Sequence, residues 1–540
     1  MRHSLRVLLG LGLALSAAGC SDYLSGPGIS STSDPNNIIS LTKPGPLYVS
    51  IQQAGPPERE GQVARDAAQY MQQIAGVARQ SKQFDTYITS TTDLDPYFGA
   101  VYGATNNLTG GGGLLDDHKM QQLARKLGDS LFIGIGKVYE AIIIGYAADI
   151  WGDIPYSQAA DSTIPLPKFD NQMAVYAAVQ AQLDSAINIF LTATGPTNAG
   201  PAPDKTELVY GGRSSDALRA VYTAVARSLK ARYFLHVAAA SVAGVPGAPP
   251  APYDSAFKYS GGAAPGISST ADDFLWFADA TPNANNIWWQ FSSARAGDIA
   301  PGAALIEIMK RRMAAGVEDT LRIAFYFTSN DGAAASATGA NFAGYRPTGA
   351  TVATSGGIYN GSGPYSGLGN FINSSSGTDG SFRPPEITYA ETQLIAAEAA
   401  WHLNGGGADP TVVIAAAQPF LNNARTGRQY GSSSTGPVAF GSAPGVLLAS
   451  LQNIIEEKYV TLFLNPEVWN DWKRTCLPSL APSIGAIPGR LPYGLTEINA
   501  NPNVPATSST GVTITSTSLN PNEPVACPVL NYTTSAPLAN

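Results

Sequence analysis

The chain has 540 residues, of which 44% are hydrophobic and only 13% charged, and its net charge is −8. That length and apolar content suffice for two or three domains, or for one large solenoid. So little charge leaves the surface to Gly, Ser, Thr, Asn and Ala, as suits a secreted or surface protein, and without a basic stripe interleaved with aromatics nucleic acid is excluded as a partner.

The amino terminus reads as an address. Arg2 and Arg6 precede an apolar run, Val7 to Ala18, too short to span a bilayer and shaped like a signal peptide ending at residue 19. Ala17-Ala18-Gly19-Cys20 is similar to a lipobox, although Ala17 stands where leucine is usual; acylation of the Cys20 thiol is expected there. The alternative is an ordinary cleavage site beside an incidental cysteine. Residues 20–47 are rich in Gly, Pro, Ser and Asn and predict a tether with an extended arm.

Helical periodicity then dominates residues 48–243. Arg59 to Ser81 carries Val63, Ala67, Tyr70, Met71, Ile74 and Val77 on one side, and Pro96 suits the first turn of a short helix reaching Leu108. Asp117 to Ile150 predicts a long central helix with breaks at Gly128 or Gly134. Lys137, Glu140 and Asp149 make it a buried helix and not a membrane span, since each would cost about 2.5–3.5 kcal/mol at a bilayer centre. Gly152 should close it, with Ile154-Pro155 beyond. Asn171 to Leu191 and Ser215 to Val242 complete this half. Helices joined in this way cannot bury their faces singly and must stack, as tetratricopeptide-type solenoids do.

Residues 244–384 differ in kind, being rich in Gly, Ala, Pro, Ser and Asn, with one good helix from Pro301 to Ala315. Aromatic residues punctuate this stretch. Trp276, Trp288, Trp289 and Tyr345 are candidate ligand contacts, because the C–H face of a sugar stacks on an indole or phenol ring. Trp288 and Trp289 are adjacent and cannot both face one way, and any of these rings could instead hold a loop-rich region together. Helix returns over 385–480, at Ile387 to Leu403, Pro410 to Thr426 and Val446 to Thr475; residues 481–540 are turn-rich. With Cys20 assigned to lipid, Cys476 and Cys527 remain, and in an oxidising compartment they most simply pair.

Catalytic signatures are missing: HExxH, CxxC, Walker A and GxSxG do not occur, so neither a metal nor a cofactor is expected. Asp149 and Asp153 flank a helix end and read as caps and turn acceptors, not an acid/base pair. Glu456, Glu457, Lys458, Asp471, Lys473 and Arg474 form the densest charge cluster, where Glu457 and Arg474 could pair between successive helices. His118, His236 and His402 sit singly on helices.

Several stretches resemble one family in order along the chain. Asp34-Pro35-Asn36-Asn37 is similar to its opening DPN motif, and Ala148 to Tyr156, ADIWGDIPY, to its internal signature. Leu208 to Gly212 ahead of Lys230 and Arg232, Glu386 to Ala400, and Glu457-Lys458-Tyr459 through Trp469 to Thr475 resemble three more of its segments. Arg490 to Tyr493 with Glu497 and Asn499 resembles its close, except that Gly494 stands where proline is common. The family is that of the SusD/RagB-like outer-membrane lipoproteins, in particular the SusD-like 2 branch.

The resemblance implies an all-α fold: a tetratricopeptide-like scaffold of helical pairs carrying a loop-rich, irregular ligand-binding subdomain. It further implies a non-catalytic surface protein that captures oligosaccharide, or peptide in some branches, for a TonB-dependent (SusC-like) outer-membrane barrel. A surface polysaccharide hydrolase and a purely structural solenoid are the readings from other classes.

Overall fold

A computed structural model describes residues 43–103, 112–193, 206–281, 284–295, 297–345, 365–372, 379–405, 409–430, 438–440, 445–483 and 486–505. Among them lie 18 α-helices and ten strands of two or three residues, so the fold is all-α in substance. The chain starts with α1 (Gly45–Glu60) and α2 (Gln62–Tyr70). Gln72 then takes a left-handed conformation (φ 53), and β1 (Ile74–Gly76) follows. The helix expected over Arg59 to Ser81 is therefore broken, because β1 pairs antiparallel with β5 (Ile299–Pro301), with Ile74 opposite Pro301. Gly76 permits this turn, since a Cβ there would lie 1.8 Å from the carbonyl oxygen of Ser81.

After α3 (Arg79–Phe84), a capping box of Ser90 and Asp93 starts α4 (Thr91–Val101) five residues earlier than Pro96 suggested, leaving that proline inside the helix. The long central helix is two helices, α5 (Gly113–Leu127) and α6 (Ser130–Trp151). Gly128, at φ 70 and ψ 20, closes the first, and the Asp129 carboxylate caps the second. Among the described residues α6 is the one helix long and apolar enough to cross a membrane, yet it is the buried axis of the scaffold. It ends at Gly152 (φ 81), and β2 (Ile154–Pro155) then pairs with β3 (Phe169–Asp170).

The scaffold continues through α7 (Gln172–Thr192), α8 (Ser215–His236), α9 (Ala238–Val242) and α10 (Pro252–Ser260). In the middle stretch come β4 (Phe274–Leu275), α11 (Ile287–Ala294), β5, α12 (Ala303–Ala314), α13 (Thr320–Tyr326), β6 (Phe327–Thr328), β7 (Gly367–Leu368) and β8 (Pro385–Ile387). Three of these helices, α10, α11 and α13, fall where the composition suggested loop. The chain then runs through α14 (Tyr389–Leu403), α15 (Pro410–Thr426), β9 (Gln429–Tyr430), β10 (Val438–Ala439), α16 (Leu451–Thr461), α17 (Glu467–Thr475) and α18 (Leu495–Ala500). Helices pack on their neighbours in series: α5 on α6, α6 on α7, α7 on α8, α8 on α10, α10 on α14, and α14 on α15 and α16. Each thus covers the apolar face of the next, as stacked helical pairs must.

The middle stretch shares this core. Phe274, Trp276, Trp288, Leu305, Tyr326 and Phe327 belong to the same buried cluster as Tyr139, Ile142 and Trp151 of α6. Its strand β5 pairs outward with β1, and β4 pairs with β8 just before α14, so part of its backbone hydrogen bonding is supplied by the adjoining scaffold segments.

Candidate functional site

Three of the four rings singled out from sequence are structural. Trp276 is 2% exposed; its Nε1 donates to Glu386 Oε2 at 3.1 Å, and its indole packs against Phe274 and Tyr139 with centroids 5.0 and 5.9 Å away. Trp288 is 3% exposed and lines a 10 Å³ void with Glu60, Tyr430 and Phe463. Tyr345 is 6% exposed and packs with Ala75, Val77 and Ala300, while its backbone bridges Pro301 and Ala303. Composition suggested open loops here, but the short strands draw these rings inward, and Trp276, Trp288 and Tyr345 are buried. Trp289 is half-buried beside Gly380, on α11, whose first turn is capped by Asn286. Cys476 is disulfide-bonded; Cys20 and Cys527 lie outside the described residues.

The charged residues of the ordered motifs form a buried lattice between helices. Arg232 of α8 makes two hydrogen bonds to Glu391 of α14 and two to Glu386, one to its carboxylate at 3.1 Å and one to its backbone carbonyl, and lies 3.5 Å from Glu467 of α17. Glu457 of α16 meets Arg312 at 2.7 Å, Arg322 at 2.8 Å and Arg425 at 3.5 Å, and these three cations hold its carboxyl well below the usual range against the opposing effect of burial. Arg474 pairs with Glu398 and Asp471, not with Glu457 as its position on the next helix suggested. Among them these contacts tie α8, α12, α13, α14, α15, α16 and α17 together, which fixes helix register.

His236, isolated in sequence, stands between two carboxylates. Its Nδ1 is 2.8 Å from Asp149 Oδ1 and its Nε2 is 2.9 Å from Glu467 Oε2, and the three ligand atoms lie within 4.8 Å of one another. Such a cluster could in principle hold a metal. Here both ring nitrogens face carboxylate oxygens, and these anions raise the imidazole pKa to about 9 although burial opposes them. A ring flanked in this way by two carboxylates favours the imidazolium and ties α8 to α6 and α17. Asp153 accepts a hydrogen bond from the backbone N–H of Gln172 at 2.8 Å, at the start of α7.

An open cleft of 610 Å³ lies elsewhere, between the C-terminal half of α4, the loop from Pro155 to Pro167 and the first turn of α18. Its volume falls in the range of small-molecule sites. Phe98 and Tyr102 form a wall, one helical turn apart with centroids 5.5 Å apart, and Phe98 is backed by Tyr493 at 5.7 Å. The loop is tied down on both sides: the backbone N–H groups of Tyr156 and Ser157 donate to Asp170, the Tyr156 hydroxyl donates to Glu140 at 2.8 Å, and Asn501 donates to the carbonyl of Pro167 at 2.8 Å. Within the loop, Ala160 holds a left-handed backbone (φ 57) without being glycine.

Acidic groups rim this cleft. Asp95 accepts from the backbone N–H and the hydroxyl of Thr496, both at 2.7 Å, and Glu497 accepts from Asn501 at 2.7 Å. The Tyr102 hydroxyl is buried and has no hydrogen-bond partner among the described residues; burial first and Glu497 second push its pKa well up, so it remains protonated. Sequence reasoning missed Phe98 and Tyr102 because a pair of rings on one short helix reads as core. The available signal was the proline-punctuated loop from Pro155 to Pro167, too rich in proline to form helix and too ordered to be a linker.

The comparisons with known proteins agree with this architecture. The chain matches the SusD-like 2 family, described as starch-binding and associating with the outer membrane, over residues 36–494, and it belongs to that family. Among solved structures it is similar to a SusD-like protein from Bacteroides thetaiotaomicron, with 18% identity, 89% of this chain and 98% of that one covered, and a TM-score of 0.62. A SusD homolog from Bacteroides fragilis gives 16% identity, 89% and 100% coverage and a TM-score of 0.62. A chitin-binding SusD homolog from Flavobacterium johnsoniae gives 20%, 86% and 92%, and 0.53. No curated protein matches the chain.

Proposed function

We propose that this protein captures oligosaccharide in the cleft beside α4 and passes it to a TonB-dependent barrel in the outer membrane, to which acylated Cys20 keeps it close. The observation that carries this reading is the ring-walled, preformed cleft of 610 Å³ in a member of a starch-binding, outer-membrane-associated family. The half-buried Tyr102 ring offers a face for sugar C–H groups, while Gln158 and Thr496 offer hydrogen bonds. A chitin-binding relative makes β-linked amino sugars the first ligands to try. Trp289 remains a proposed secondary contact on the strength of its half-open ring.

A second reading, peptide capture, is favoured by one feature: Leu166, Leu495 and Ile498 are 45, 38 and 41% exposed on segments that line the cleft. One assay separates the alternatives. The purified protein is incubated with a panel of insoluble polysaccharides and immobilised peptides, and both retention and soluble products are measured. Retention on a glycan without product supports the proposal. Retention on peptides alone supports the second reading, released sugar supports a hydrolase, and no retention on either leaves an architectural role.

A further inference from the structure

The cleft beside α4 stands where the chain leaves the scaffold, and that juxtaposition identifies an occupant from the protein itself. After α18 the backbone runs along the loop that walls the cleft. Asn501 donates to the Pro167 carbonyl at 2.8 Å, Asn503 donates to the Leu166 carbonyl at 3.1 Å, and Val504 packs on the core. Pro505, the last described residue, is thereby delivered to the rim, and residues 506–540 follow it in sequence. The cleft they meet is largely apolar. Pro96, Leu115, Ile164, Pro165 and Pro167 line it, and Leu166, Leu495 and Ile498 are exposed on the same segments. Exposed aliphatic groups gathered round a cleft mark a surface that something covers.

The tail has the composition to cover it. From Ala506 to Asn540 its one charged side chain is Glu523. The rim carries both signs, Asp95, Asp161 and Glu497 with the exposed Lys168 beside them, so an uncharged segment meets repulsion from neither, and its threonine hydroxyls can donate to the carboxylates. Gly511-Val512-Thr513-Ile514-Thr515 alternates apolar and polar residues; extended, it puts Val512 and Ile514 on one face and the threonines on the other. Val512 stands seven positions beyond Pro505. That stretch reaches about 23–25 Å when extended, so length does not limit contact with the cleft. Attachment at Pro505 also makes the encounter intramolecular, an advantage that neither a second copy nor a separate partner has. We propose that Gly511 to Thr515 docks in the cleft of the ligand-free protein, with Val512 and Ile514 covering the aliphatic rim, and that an arriving ligand binds by displacing it. The docking goes beyond the glycan-binding role and does not depend on it, because occupancy is measured without sugar.

The test is hydrogen–deuterium exchange, read by mass spectrometry, on the full-length protein and two full-length variants. One is Val512→Asp/Ile514→Asp in the tail; the other is Ile498→Asp, at an exposed position of α18. In the parent, amides of residues 511–515 should exchange about tenfold more slowly than in either variant, and the loop over residues 158–166 should lose protection in both. Unchanged exchange across α6 shows that each variant is folded. Amides of 511–515 that exchange in the parent as fast as in a free peptide of that sequence, or protection that survives both variants, would overturn the docking. Loop protection that falls on dilution would assign this face to a second copy and overturn it as well. Tail protection lost in both variants of a protein that retains neither glycan nor peptide would leave the docking standing and remove the capture role.

Discussion

Arg232 holds Glu391 by two parallel hydrogen bonds, Nε to Oε1 at 2.8 Å and Nη2 to Oε2 at 2.7 Å, with both side chains at most 2% exposed. A guanidinium fork matched to a carboxylate is the strongest geometry available to such a pair. Here it joins α8 to α14 across the middle of the scaffold.

Removing the cation should be far costlier than its own hydrogen bonds suggest. Arg232→Met strands Glu386, Glu391 and Glu467 around an apolar side chain. Breaking a buried pair from one side costs about 3–5 kcal/mol. Urea unfolding should show that loss as a lowered midpoint with unchanged slope, whereas a loss under about 1 kcal/mol would mean that the lattice is solvated.

The imidazolium of His236 makes stability depend on alkaline pH. Its pKa rises from an ordinary 6.5 to about 9 on folding, so its contribution is fully present below pH 6.5 and is lost as pH climbs through 9. The shift corresponds to on the order of 3 kcal/mol. Asp85, raised to about 7, and Asp66, raised to about 8, also lose stability on the way up, so the diagnostic quantity is the difference between the protein and His236→Gln. That difference should shrink between pH 6.5 and 9 in thermal melts; a constant difference would contradict a charged ring.

Trp276 and Trp289 should separate cleanly. Trp276→Ala empties a core position and should cost about 3–5 kcal/mol in chemical denaturation. Trp289→Ala, at a half-buried ring on a short helix, should leave the melting temperature within a few degrees and weaken glycan retention. If Trp276→Ala melted like the parent and lost only binding, the packing described for it would be wrong.

Cys476 is disulfide-bonded, and Cys527 is its proposed partner. A non-reducing peptide map should contain one species joining the two, which separates on reduction. Cys20→Ser should move the protein from the detergent phase to the aqueous phase of a Triton X-114 partition; unchanged partitioning would leave Cys20 without its lipid.

Much of the scaffold was legible because it follows from periodicity and stops. Gly128, left-handed at φ 70, and Gly152, at φ 81 and ψ −114, end helices where a residue without a Cβ takes the backbone most easily. The failures share a cause. Arg59 to Ser81 has helical spacing throughout, but its second half pairs with a strand more than two hundred residues away, and no local pattern encodes that partner. Trp276 and Trp288 lay in stretches of loop-like composition, and their burial depends on contacts with Gly55, Tyr139 and Glu60 from the other end of the chain. The cleft was hidden for the opposite reason: α4, the proline loop and α18 are each unremarkable alone and enclose a volume only when brought together.

The six-membered ring of Trp276 lies so close over Gly55 that any Cβ there would fall 2.2 Å from Cζ3, which clamps the first described helix beneath the middle of the protein. With Tyr48 and Ile51 of its first two turns also buried, traction on the amino-terminal end of α1 would be borne by core contacts along the helix.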